Sequence, residues 1–178
     1  MDAYFTENKI GKATVDVLEI GDVSFHTGII FAYDPFTFSL PGMAFARDGS
    51  GGEYHLLDDG SIGYYSSEGE AGRLAENMDD LFSLLVSCIC WKDYCDANQY
   101  ADSKTLEEYG QQQRSVNLED IDVDSLRQIS DAFGIATDKE LVPILEKFRK
   151  ATQRQPLYQC VFHEDDGSLT ESYGLMFE

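Results

Sequence analysis

The chain has 178 residues, 43% of them apolar and 12% aromatic, which suits one folded domain with a real core and excludes a disordered or low-complexity protein. Its 33 acidic residues against 13 basic ones leave a net charge of −20. That field repels nucleic acid and anionic membranes and steers basic partners inward, so neither direct nucleic-acid binding nor membrane association is expected.

Met1 to Phe5 show no basic segment leading into an apolar one, and the longest nearly apolar run, Leu84 to Trp91, is too short to span a bilayer. A cytoplasmic location is the expectation. In chain order, residues 12–33 read as strands. Ala13–Ile20 mixes alternation with β-branched residues, Gly21-Asp22 supplies a turn, and Val23–Phe25 with Ile29–Ala32 form a strand pair or one strand bent at Gly28. Asp34-Pro35 and Pro41-Gly42 break the pattern. Met43–Ala46 then leads into a glycine hinge, Gly49-Ser50-Gly51-Gly52.

The core unit is expected over 44–91. Glu53–Leu57 and Ser61–Tyr65 flank Asp58-Asp59-Gly60, a strong hairpin signal. Ser66–Gly72 reads as an acidic, glycine-rich connection. Leu74, Met78, Leu81, Phe82, Leu85, Cys88 and Ile89 then recur at helical spacing, with Glu76, Asp79 and Asp80 on the other side. This predicts a helix from Leu74 to Ile89 packed on a sheet that contains the hairpin. Residues 93–123 are polar: Thr105–Tyr109 suggests a short helix and Gln111–Arg114 a loop. Helices are expected over 124–151, one beginning at an Asp124 cap and ending at Gly134, the next opening with the capping box Thr137-x-x-Glu140. A hairpin over 157–177 turns at Asp165-Asp166-Gly167, and its Asp-Asp-Gly-Ser repeats residues 58–61 as two independent turns.

Catalytic patterns do not assemble. Tyr54 stands where a dinucleotide fingerprint counted from Gly49 needs glycine, no Gly-Lys-Ser/Thr occurs, and no Gly-x-Ser-x-Gly elbow exists. Gly49, Gly51 and Gly52 are read instead as a structural hinge giving backbone freedom for a sharp bend. Cys88, Cys90 and Cys95 lie in or near one helix. Positions 88 and 95 sit roughly 10 Å apart along its axis, beyond disulfide reach, and a regular helix cannot aim three thiolates at one ion. With Cys160 they are expected as unbridged thiols, and no metal, cofactor or enzymatic role is expected, although a helix ending near Trp91 would leave Cys95 free to swing toward Cys160 or His163 as an alternative metal site.

The acids concentrate. Residues 48–100 hold eleven of them against Arg73 and Lys92, while Lys139, Lys147, Arg149, Lys150 and Arg154 gather late, most of them where cations complement a helix C-terminus. Glu53, Asp58, Asp59, Glu68 and Glu70 are therefore the candidate contacts to a basic partner, against the plain alternative that they only solvate a hairpin.

One stretch carries a resemblance. Phe45-Ala-Arg-Asp-Gly-Ser-Gly-Gly52, Tyr54, Ser67-Glu-Gly-Glu70 and Asp80-Leu-Phe-Ser-Leu-Leu85 resemble in order and spacing the SUKH superfamily, which includes the yeast cell-wall-assembly regulator and many bacterial immunity proteins. The likeness covers Ala44 to about Ser87, a quarter of the chain. Where many members open with a helix carrying Leu-Pro, the first forty residues here read as strands. The resemblance implies an α+β fold, an antiparallel sheet with helices packed against it, as a single domain over 1–178. It also implies a non-enzymatic immunity protein that neutralises a toxin, often a nuclease, by direct binding. The alternative it leaves open is a regulatory or scaffold module docking on cellular proteins. The number of copies in the assembly does not follow from it.

Overall fold

Alternating and β-branched runs fill the first half of the chain and helical stripes the second, and the computed structural model follows that division. It describes residues 17–20, 23–30, 36–119, 121–136, 140–164, 169–172 and 174–177. The strands are β1 (Val17–Ile20), β2 (Val23–Ile30), β3 (Phe36–Phe38), β4 (Gly42–Asp48), β5 (Glu53–Leu57), β6 (Ile62–Tyr65) and β7 (Glu70–Ala75), with β8 (Cys160–His163), β9 (Leu169–Ser172) and β10 (Gly174–Leu175) near the end. The helices are α1 (Met78–Cys88), α2 (Ser103–Asn117), α3 (Val123–Phe133) and α4 (Leu141–Gln153). Seven strands form a sheet in the order β1-β2-β4-β5-β6-β7-β10 and three form a second, β3-β8-β9. Every pairing is antiparallel except β7 with β10. The fold is α+β.

The centre of the large sheet is covered on both faces. Tyr54, Ile62, Tyr64 and Leu74 share one core with Leu81, Phe82, Leu85, Leu145 and Phe148 of the helices. On the other face Tyr65 and Ala71 pack with Cys160, Phe36 and Phe38 of the small sheet. All four residues of β6 are consequently buried, which explains why Ile62-Gly-Tyr-Tyr65 shows no polar alternation. Gly63 is the residue that permits this, since a Cβ there would lie 2.8 Å from the Tyr158 ring.

Several expectations are corrected. Leu74 belongs to β7, and α1 begins only after Asn77, whose side chain accepts a hydrogen bond from the Asp80 N–H. The acidic connection 66–72 is a turn plus the start of β7, so the hairpin grows into a three-strand meander. Of the two readings offered for 23–32, the single bent strand holds: Val23–Ile30 is one strand with a register shift between Phe25 and Ile30, around Gly28, and residues 31–32 lie outside the described residues. Phe36–Phe38, between the two expected breaks and given no element there, is a strand paired with β8. Gln111–Arg114 lies inside α2, not in a loop. Asp102 caps that helix by accepting from the Lys104 and Thr105 N–H groups. Only Leu106 and Gly110 of α2 are buried, so too thin an apolar stripe announced it. The cap of α3 is Asp122, which accepts from the Asp124 N–H, and Gly134 closes it in the left-handed conformation. Helix α4 starts after Glu140, whose side chain makes no cap hydrogen bond. The expected turns at 21–22, 34–35 and 165–168, and Thr137 of the expected capping box, lie outside the described residues. The C-terminal hairpin is β8–β9, after which the chain crosses to add β10 beside β7.

Candidate partner-binding surface

The Asp-Gly-Ser-Gly-Gly run is a hairpin turn between β4 and β5, built around Asp48. Aspartate followed closely by backbone N–H groups readily forms such a local cage. Asp48 Oδ1 accepts from the Ser50 N–H at 3.0 Å, the Ser50 hydroxyl at 2.9 Å and the Gly52 N–H at 2.8 Å. Its Oδ2 accepts from the Tyr64 hydroxyl at 2.6 Å and from Lys92 Nζ at 2.7 Å. Burial works against the charge, but the bonds from Lys92, Tyr64, Gly52 and Ser50 outweigh it and hold the carboxyl down to about 2. The three glycines expected as a hinge serve differently. Gly51 has φ +95°, and a Cβ on Gly52 would fall 2.2 Å from the Tyr64 hydroxyl oxygen. Gly49 lies exposed in the turn.

Glu53 is not a surface acid. It is 2% exposed, beneath the small sheet, with His55 and Tyr65 also buried. Arg47 Nε donates to Oε1 at 2.8 Å, and His55 Nε2 lies 3.5 Å from Oε2. Burial again opposes the charge, yet bonds from His55, Tyr65 and Arg47 keep Glu53 below the usual carboxylate range. On the other side of the ring, His55 Nδ1 and the Tyr158 hydroxyl share a hydrogen bond at 3.1 Å. The group ties β5 to the segment before β8. Burial pushes the hydroxyls of Tyr65 and Tyr158 upward, keeping them neutral donors.

Asp58 and Asp59 sit at the far end of β5, about 17 Å from its start at the strand rise. Both are exposed, but only Asp58 is uncommitted by ion pairing in the structure's described contacts. Asp59 accepts from the Ser61 hydroxyl and N–H, lies 2.8 Å from Arg154 Nη2 and 3.6 Å from Arg73 Nη2. The Ser61 bonds, helped by Arg154 and Arg73, lower its pKa. Arg73 is 1% exposed. Its Nε donates to the Ser61 hydroxyl at 2.9 Å, and its Nη1 to the carbonyls of Arg154 and Pro156 at 2.9 and 3.2 Å. This network fastens the β5–β6 turn to the chain leaving α4.

The five candidate acids therefore form no single patch. Glu68 and Glu70 are exposed at the glycine-turn end, Asp58 and Asp59 at the opposite end, and Glu53 is interior. Two acids not singled out from sequence join the first end. The Ser67 hydroxyl donates to the Ser50 carbonyl at 2.8 Å, which joins the two turns, and Lys92 brings the single-turn helix Trp91–Tyr94 onto them. Asp93 on that segment and Asp96 just after it are exposed; Glu70 and Asp93 both act on the Cys95 thiol, with Lys92 opposing them, and Asp93 and Asp96 both act on the Tyr109 hydroxyl. Burial first, then the charges of Glu70, Cys90 and Asp93, push the Cys95 thiol up to about 12. A helical stripe could not have shown this, because α1 ends at Cys88 and Ile89 turns the chain with φ 67°.

Cys88, Cys90, Cys95 and Cys160 form no disulfide. Burial raises the Cys88 thiol, and takes Cys160 to about 12. Among the described residues no group of three or more His, Cys, Asp or Glu side chains could hold a metal ion, and no helix is long and apolar enough to cross a membrane. Comparison with protein-family models, curated proteins and solved structures gives no match to the chain.

Proposed function

We propose that the chain is a non-enzymatic binding protein, an immunity protein of SUKH type that neutralises a basic, nuclease-type toxin domain by covering it. The observation that carries the reading is the fate of the two cations in the acidic stretch 48–100. Arg73 is turned inward toward Asp59 and Lys92 onto Asp48. Glu68, Glu70, Asp93 and Asp96 thus face outward and make no ion pair among the described residues, Lys92 being held on Asp48. A nuclease must attract a polyanion, so its active face is basic. An acidic edge set on two tied turns offers the complementary field without having to order itself on binding. The Phe45–Gly52 and Asp80–Leu85 runs support the family side of the reading.

Affinity capture from the native host, followed by a nuclease assay of the purified captured protein, tests it. The expected result is a basic partner whose nucleic-acid cleavage is abolished at one equivalent of this chain. A partner whose activity is untouched by saturating amounts would remove the immunity role and favour regulatory docking.

A further inference from the structure

Helix α1 does not simply fray after Cys88. Ile89 takes φ 67° and ψ −65°, and the Cys90 N–H donates across it to the Cys88 carbonyl at 2.8 Å. This is the γ-turn of positive φ, the rare and strained form. Glycine takes such a φ without steric cost, whereas a β-branched residue does not. Among the described residues Ile89 is the only one other than glycine with positive φ. A strained conformation persists only where its surroundings over-determine it, and here they do. The Ile89 N–H still donates to the Leu85 carbonyl at 2.8 Å, and Asn117 Nδ2 of α2 donates to the Cys88 carbonyl at 3.2 Å. The Ile89 side chain is buried in the main core. Just beyond the turn, Trp91 Nε1 donates to the Tyr54 hydroxyl at 2.8 Å, and Lys92 Nζ lies 2.7 Å from Asp48 Oδ2.

The turn decides where the next residues stand. A helical φ at Ile89 would carry the chain on along the axis of α1. Instead the chain swings so that Trp91 and Tyr94 are buried in the core and Asp93 faces solvent. Glycine would allow the same swing without holding it, while a buried isoleucine holds it at a cost in strain. We propose that Ile89 is a positioning residue, a strained turn that keeps the 90–96 segment, with Asp93 and Asp96, in its partner-ready place before any partner arrives. Binding then has nothing to order in that segment, which is the benefit of preorganisation. This purpose rests on the binding reading proposed above, which puts Asp93 and Asp96 at the interface; the strain itself does not.

Ile89→Ala and Ile89→Gly separate strain from lost packing, because both remove nearly the whole side chain. Ile89→Gly should melt about 2–4 °C above Ile89→Ala, the reverse of their order in a helix interior. Amide exchange in Ile89→Gly should quicken about tenfold or more from Cys90 to Cys95, with Leu81 to Leu85 unchanged. In the unaltered chain the Cys90 and Cys95 amides should exchange within about tenfold of those of α1, a measurement that decides even if neither variant folds. A third readout does not follow from stability alone. Asp93→Lys should slow association with the captured basic partner in the parent, and by no more than about half that factor in Ile89→Gly. Ile89→Ala melting at or above Ile89→Gly, unchanged exchange in Ile89→Gly, exchange of the unaltered segment far faster than α1, or equal slowing by Asp93→Lys in both backgrounds would overturn the proposal and leave the binding reading standing. No slowing in either background would remove Asp93 from the interface, and the proposal would fall together with that part of the reading.

Discussion

Asp48 shows how much of the motif's meaning sits in single side chains. Its carboxylate is caged by Ser50, Gly52, Tyr64 and Lys92, and its folded pKa is held at about 2, below the ordinary 3.8. A depressed carboxyl contributes stability that is present above the unfolded value and lost as pH falls through the folded one. The contribution is about 2 kcal/mol at neutral pH. Asp48→Asn should therefore lower unfolding free energy most above pH 4, with the gap to the parent closing between pH 4 and 2, as urea titrations at stepped pH will show. Asp58 and Asp59, adjacent in sequence, should separate sharply. Asp58→Lys should change stability by less than about 0.5 kcal/mol, as exposed sites do. Asp59→Lys should cost about 1–3 kcal/mol, because it sets a cation against Arg73 and Arg154 and disturbs buried hydrogen bonds. Equal effects of the two substitutions in thermal melts would show that the Arg73 network does not hold the turn.

Elements were legible where one physical signal dominated. The Asp-Asp-Gly turn and the stripe from Met78 to Cys88 named β5, β6 and α1 correctly, and Leu81, with no exposed surface, bears out the stripe. Leu81→Ala should destabilise by about 2–5 kcal/mol, measurable as a shift of the denaturation midpoint; a neutral midpoint would place α1 outside the main core. Where signals conflicted the reading failed for identifiable reasons. Leu74 keeps helical spacing with Met78, yet its backbone is claimed by the strand ladder until Asn77 caps the helix. Helix α2 buries little, and its order comes from the Asp102 cap and from Gly110 lying against Leu141 and Leu145. The candidate surface was half legible. Glu68 and Glu70 face outward as expected, but nothing local in the sequence distinguishes Glu53, buried beneath the small sheet, from the exposed acids Asp58 and Asp59. Asp93 and Asp96 reach the same edge only because the chain turns at Ile89.

At the scale of the molecule the imbalance of charge is the feature that the fold organises. Two cations late in the chain are paired with acids of the 48–100 stretch, Lys147 with Asp80 and Arg154 with Asp59 and Glu76. The acids of the glycine-turn end are left facing solvent. Exposed charges of this kind act mainly on the rate of encounter and are screened by salt over about 10 Å at 0.1 M. The most direct measurement is the association rate of the captured partner with the parent chain and with a Glu68→Lys, Glu70→Lys, Asp93→Lys variant, across a salt series. The account predicts fast association at low salt that slows markedly by about 0.5 M, and a variant at least about tenfold slower at low salt with an unchanged melting profile. Association that is indifferent to salt, or equal rates for the two proteins, would contradict it.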